Sequence, residues 1–197
     1  MLGPSWDFAL KTGAFGQLTL DLLAEDLEED FELSARTWVP AGTYTSWELN
    51  GYYASPYGSG LRRDFTLVAG QFYDGWQLPL GLTPAWSVSR HLELKPEYQL
   101  DLARFPDRDQ HFLSHLFRLR ARLALDTQLS ASAFAQYNSE EDAVGLNARL
   151  RYNRREGDNL CLVYDQGINT DRQRATPALP RTANHTVLLK YGRTFAY

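Results

Sequence analysis

The chain has 197 residues, 20 basic and 24 acidic side chains, a formal net charge of −4 and a single cysteine. One cysteine excludes an intramolecular disulfide framework and a multi-cysteine zinc site, and the mild acidity provides no electrostatic footprint for nucleic acid. The longest unbroken apolar run, residues 160–164, is far short of the roughly 20 residues a membrane helix needs, while 26 aromatic side chains exclude a disordered chain.

In chain order, residues 1–7 show neither the basic nor the apolar stretch of a targeting peptide. The chain therefore stays inside the cell or is a piece of a longer precursor. From there the hydrophobic period is two almost everywhere. Phe65, Leu67 and Ala69 alternate with Asp64 and Thr66, and Trp76, Leu78, Leu80, Leu82, Trp86 and Val88 alternate with Gln77, Gly81, Thr83 and Ser87. Leu92, Leu94, Tyr98, Leu100 and Leu102 take one parity, and Glu93, Lys95, Glu97, Gln99 and Asp101 the other. Phe117, Leu119, Ala121, Leu123 and Leu125 then alternate with Arg118, Arg120 and Arg122, with His115 interrupting the apolar parity. The alanine-rich stretch from Leu129 to Tyr137 and the stretch from Val144 to Tyr152, with Arg149 and Arg151 on its polar parity, continue the pattern. A helix would mix these residues around its circumference, whereas a strand separates them onto two faces.

Turn signals at 56–60, 74–75, 89–90, 106–109 and 156–158 divide the chain into eleven expected strands, near 5–12, 16–24, 43–55, 61–73, 76–88, 91–104, 111–125, 128–138, 143–154, 159–167 and 183–197. Residues 25–42 and 167–182 read as long connections. The expected fold is all-β: an antiparallel up-and-down meander of about 10–12 long strands, forming a transmembrane β-barrel or an incomplete one. Strands of 11 to 15 residues exceed the usual 5–6 and match the length a tilted strand needs to cross a bilayer core. A mean hydropathy of −0.42 fits this reading, because one greasy and one charged face average to a modest value.

Aromatic residues fall near strand ends. Trp76 and Trp86 are ten residues apart on one parity, about 25 Å along the membrane normal at 3.3 Å per residue and 40° of tilt. Tyr137, Tyr152, Tyr164 and Tyr197 complete the expected aromatic girdles. On the polar parity, Glu93, Glu97, Arg118, Arg120, Arg122, Arg149 and Arg151 form a charge ladder for a polar lumen. Antiparallel pairing around the 106–109 turn sets Glu97 opposite Arg118 and Glu93 opposite Arg122. The ladder is structural, or makes the lumen attract anions, or binds acidic sugar or lipid phosphate groups.

The stretches SHLFRLRAR at 114–122, LSASAFAQYNS at 129–139, GLNARLRY at 145–152, REGDNLCLVY at 155–164 and LLKYGRTFAY at 188–197, with VPAGTY at 39–44 and GQFYDGW at 70–76 upstream, carry a family resemblance. Together they resemble the C-terminal barrel domain of a large uncharacterised family of bacterial outer-membrane proteins. In that family the barrel follows an N-terminal sandwich similar to carbohydrate-binding-module family nine. The sandwich is absent from this sequence, so sugar binding is not carried over to any residue. The chain end, with Tyr197, Phe195, Tyr191 and Leu189 on one parity, is similar to the assembly signal of outer-membrane barrels, with Arg193 departing from it.

The resemblance implies location in the bacterial outer membrane, lipid and the barrel-assembly machinery as partners, no nucleic acid, and service as a membrane anchor or passage in a carbohydrate-handling surface system. If Tyr197 ends in the periplasm, eleven strands set the N-terminus outside the cell, whereas single-chain barrels have an even number of strands. The expectation is therefore a single barrel domain over residues 1–197 that forms the C-terminal part of a longer barrel, with upstream strands as a further partner. The alternatives are a soluble lipocalin-like barrel binding a small apolar ligand, with its apolar parity inward, and a barrel-embedded hydrolase.

No catalytic set, cofactor or metal is expected. His111 and His115 are about 13 Å apart on a strand, too far to share an ion. Ser114 and His115 point to opposite faces. Cys161 takes the polar parity as a small filler. The acidic residues Glu25, Asp26, Glu28, Glu29 and Asp30 read as a solvated loop, with surface cations as the sharper alternative.

Overall fold

The computed structural model describes residues 3–34, 36–56, 58, 60–155 and 157–194. It is an antiparallel β-meander; among the described residues the helical content is one 3₁₀ turn at Pro106–Arg108. The described chain forms two compact units, one comprising residues up to Pro84 with Tyr98–His115, the other Ala85–Glu97 with the chain from Leu116 onward.

In the first unit β1 (Ser5–Ala9) pairs with β2 (Phe15–Leu27), and β2 with β5 (Gly42–Ala54) through thirteen residue pairs from Phe15↔Ala54 to Leu27↔Gly42. β5 pairs with β7 (Asp64–Phe72). β8 (Gly75–Gln77) and β9 (Leu80–Leu82) lie between β7 and the Tyr98–Phe105 part of β11 (Leu92–Phe105), as in the row Leu67↔Leu80↔Leu100. β6 is the short piece Leu61–Arg62. Residues 76–88, expected as one strand, are three pieces: β8, β9 and β10 (Ala85–Ser87). Pro79 and Pro84 sit in the gaps, where a missing N–H interrupts the ladder. The ladder resumes around them, since Leu78 N donates to Leu102 O and Val68 N to Pro79 O.

The expected loop 25–42 is structured. β2 extends to Leu27, and β3 (Phe31–Ser34) pairs with β4 (Thr37–Val39) as a separate hairpin. Its Val39 is buried with Ala103 and Phe105, against Leu27, Leu33, Tyr44, Phe72, Tyr73 and Phe112. Burial of a side chain of this size contributes roughly 1.5–3 kcal/mol, so a short hairpin with little intrinsic stability is held by packing. Polar pins assist. Thr37 Oγ1 donates to His111 O at 2.9 Å, Arg108 donates to Trp38 O and to Asp74 Oδ1 at 2.7 Å, and its guanidinium lies 4.4 Å from the Phe105 ring centre. Gly75 is required beneath this core, because a Cβ there would collide with the Arg104 carbonyl and the Phe105 ring.

In the second unit β10 pairs with the Leu92–Glu97 part of β11 (Trp86↔Leu94). The later part of β12 (Gln110–Ala124), from Leu116, pairs with β13 (Leu129–Asn138), followed in order by β14 (Ala143–Arg155), β15 (Asp158–Asn169) and β16 (Thr182–Arg193). Irregularities at Asn153/Arg155 and Gly167/Ile168 interrupt otherwise continuous ladders. The registers place Phe117, Tyr137, Leu150, Leu162 and Leu189 on one face, and Phe117, Leu150, Leu162 and Leu189 all remain exposed, Leu189 at 66%.

Candidate functional site

The polar face of the second unit is organised in rows across its strands. Its ladder registers give Arg118–Gln136–Gly145–Gly167–Asn184, then Arg120–Phe134–Asn147–Asp165–Thr186, then Arg122–Ser132–Arg149–Val163–Leu188, and last Ala124–Ser130–Arg151–Cys161–Lys190. Alternation along each strand puts these residues on the face opposite Leu150 and Leu162.

The seven ladder residues have different fates. Arg118 Nη1 contacts Glu97 Oε1 at 2.6 Å, and Arg118 Nε donates to Gln136 Oε1 at 3.2 Å. The His91–Ala124 backbone bond lies in the same register, which puts Glu93 across from Arg122. The Glu93 carboxylate is nevertheless held by Lys95 of its own strand at 2.9 Å. Arg120 lies over the Phe134 ring, 5.5 Å from its centre. Arg151 Nε donates to Asn153 Oδ1 at 3.2 Å. Among the described residues Arg122 and Arg149 form no ion pair.

Arg122, Arg149 and Arg151 line one cavity of about 680 Å³ with Arg90, Glu93 and the hydroxyls of Ser130 and Ser132. One edge is fixed by His91. Its Nδ1 is 2.7 Å from Ala124 O, and its Nε2 accepts from Arg90 Nε at 2.8 Å. With Nε2 accepting from Arg90, the hydrogen that meets Ala124 O is carried on Nδ1. Arg151 also lines a neighbouring cavity of about 780 Å³ with Arg155, Asp158 and Lys190. Toward the 139–142 turn the same face changes character: the cavity of about 540 Å³ there is lined by Gln136, Asn138, Asn147, Asp165 and Asn184. The face therefore runs from amides at one end to guanidinium groups at the other.

The first unit has the opposite chemistry in an analogous row, Asp21–Glu48–Gly70–Gln77–Ala103. Asn50 Nδ2 donates to Asp21 at 2.9 Å and to Glu48 at 3.0 Å, and Gln77 Nε2 reaches Glu48 across Gly70 at 3.0 Å. Three of the five acids at 25–30, Glu25, Asp26 and Asp30, serve as pins. Tyr73 Oη donates to Glu25, Thr43 Oγ1 to Asp26 at 2.8 Å, and Ala41 N to Asp30 at 2.9 Å. Burial pushes the Tyr73 phenol above its ordinary pKa, and the Glu25 carboxylate adds to the rise.

Of the expected girdle, Trp76 is exposed and packs edge-on to Trp47, with centroids 6.2 Å apart; Trp86 and Tyr152 are exposed, and Tyr137 is half-buried next to the end of β13. Tyr164 is not at a strand end. β15 continues to Asn169, leaving Tyr164 in its middle opposite Ala148 and Val187, where its hydroxyl donates to Gln166 at 2.8 Å and its ring meets His185 edge-on. Tyr197 and Phe195 lie outside the described residues. The girdle reading passed over Trp6, Phe8, Trp47 and Tyr53, all exposed. It also passed over the Tyr98–His115 pair, in which Oη and Nδ1 are 2.8 Å apart. The 106–109 hairpin register sets His115 opposite Leu100, so the pair is a diagonal contact two residues off the direct partner, which counting direct partners does not find.

No family model matches the chain, and no curated protein matches it. Among solved structures, a NanC porin aligns with 99% of this chain and 98% of its own at 12% identity, with a TM-score of 0.40. A score that low assigns no function.

Proposed function

We propose that the chain is part of a bacterial outer-membrane β-barrel, acting as a membrane anchor or passage. The apolar strand faces meet lipid and the charged faces line a water-filled interior. The observation that carries this reading is the exposed apolar face of the strands within each unit: Phe8, Leu22, Trp47 and Trp76 in the first, and Phe117, Leu150, Leu162 and Leu189 in the second, are large hydrophobic side chains left uncovered. Exposed apolar patches beyond a few hundred Å² mark interaction or membrane surfaces. At about 25 cal/mol per Å² such surface is costly in water and favourable in hydrocarbon. A lipocalin-like arrangement requires this same parity to be covered.

The proposal includes insertion by the barrel-assembly machinery and a non-enzymatic role. Service in a carbohydrate-handling surface system is its finest part, supported by the sequence resemblance. Fractionation of cells producing the chain tests the membrane reading. Recovery in the membrane pellet after alkaline carbonate, with release by detergent, is expected; recovery as a monodisperse species without detergent overturns it. The carbohydrate part is checked by growth of a deletion strain on polysaccharides as sole carbon source, and unchanged growth on all of them counts against it.

A further inference from the structure

We infer that the basic end of the second unit's polar face is a binding site for small soluble oxyanions, bearing phosphate or carboxylate groups. It is centred on Arg122, Ser132 and Arg149, with Arg151 and Ser130 beside them. The inference deepens the barrel reading, because it takes this face to be in contact with water and solutes.

Three observations carry it. First, register puts Arg122 and Arg149 on either side of Ser132, so the two backbones are about 10 Å apart across two strand spacings. The intervening side chain is small, which leaves room above it, and both guanidinium groups border the same 680 Å³ cavity. Arg151 stands one pleat further along β14, across from Ser130. Second, the charge there is not consumed by the protein. Arg118, one pleat pair away, is matched by Glu97, and Glu93, the acid lining this cavity, is engaged by Lys95. Arg122 and Arg149 form no ion pair among the described residues. Glu93, the acid opposite Arg122, is ion-paired with Lys95 instead, so Arg122 and Arg149 face each other with no acid bridging them, whereas a structural ladder would pair them as it pairs Arg118. Third, the donor set suits an oxyanion: guanidinium forks bind carboxylate and phosphate oxygens bidentately, and serine hydroxyls supply further donors. Nothing in the cavity except Glu93 disfavours negative charge. The polar face lies opposite the lipid-facing one, so a soluble solute fits better than a lipid headgroup.

The test uses the full chain refolded in an uncharged detergent, with pyrophosphate and citrate as probes and glucose as the uncharged control, followed by calorimetry at low and high salt. Saturable binding of both anions is expected, lost at high salt as screening predicts, with no binding of glucose. The double variant Arg122→Gln/Arg149→Gln is expected to weaken binding at least tenfold. Arg154→Gln, outside the lining of this cavity, leaves it unchanged. Far-ultraviolet circular dichroism and heat-dependent gel mobility confirm that each variant is folded.

Absence of saturable binding by the folded parent chain overturns the proposal, as does equal binding by the double variant. Binding that appears only when phosphatidylglycerol is added to the micelles overturns the soluble-ligand assignment. A chain that binds the anions yet stays monodisperse without detergent keeps the site and overturns the membrane reading, so the two failures are distinguishable.

Discussion

The two units share one pattern and use it differently. In each, a small residue on a central strand separates two charged or polar residues in a cross-strand row: Gly70 between Glu48 and Gln77 in the first unit, Ser132 between Arg122 and Arg149 in the second. Across Gly70 an acid meets an amide donor and the contact closes at 3.0 Å. Across Ser132 two cations meet and no contact closes. The first arrangement is self-sufficient, and the second has donor capacity left over. The first unit also has a buried core at its hairpin end, centred on Phe105 and Val39. The difference teaches that equal strand periodicity does not imply equal bonding: one polar row closes its own contacts, and the other leaves Arg122 and Arg149 without an ion pair among the described residues.

The largest expected effect breaks the first side of this comparison. Phe105→Ala removes a side chain that is 1% exposed at the centre of the hairpin core and is expected to cost about 3–5 kcal/mol. Limited proteolysis of the refolded chain in detergent should show new cleavage within residues 28–41, with the second unit unaffected. Arg108→Ala follows. It deletes the Asp74 ion pair and the bond to the Trp38 carbonyl, and about 1.5–3 kcal/mol of charged hydrogen bonding is at stake. Cleavage should occur in the same segment at a slower rate.

A smaller effect is expected in the second unit. Glu97→Gln breaks the 2.6 Å pair with Arg118, but both side chains are about one-third exposed, so the loss should be about 0.2–1 kcal/mol. The more telling readout is anion binding, which should hold or strengthen as the local charge becomes more positive; a large fall would show that Glu97 positions the site. The smallest effect is alkaline. Tyr73 has a raised pKa in the folded chain, so its neutral form is favoured there. Its contribution is full below the unfolded value near 10 and is lost as pH rises through the higher folded value. Cleavage at residues 28–41 should increase above that pH, and Tyr73→Phe should remove the Glu25 contact while weakening this pH dependence.

Much of this architecture was legible in the chain. Period-two alternation located eleven legs of the meander because every strand exposes one face to each environment. Counting across the 106–109 turn paired Glu97 with Arg118 because an antiparallel register, once begun, repeats every two residues. The same count missed what a flexible side chain does after register is set: Glu93 stands across from Arg122 and is ion-paired with Lys95 instead. Tyr164 was misplaced because β15 runs past its turn-like Gly167, where the ladder shifts but does not stop. The 25–42 segment reads as a loop because its acids, crowded at 25–32, interrupt the apolar alternation. Its partners, Phe72, Ala103, Phe105 and Phe112, come from strands 30 to 80 residues away.

By itself, then, the sequence determined the long legs of the meander, their two faces and the charge of each row, since these follow from local periodicity and from one registered turn. The tertiary structure decided which charges are satisfied. That depends on which residue sits two strands away, and on whether the small residue between them, Gly70 or Ser132, lets a donor meet an acceptor or leaves two cations bordering an open cavity.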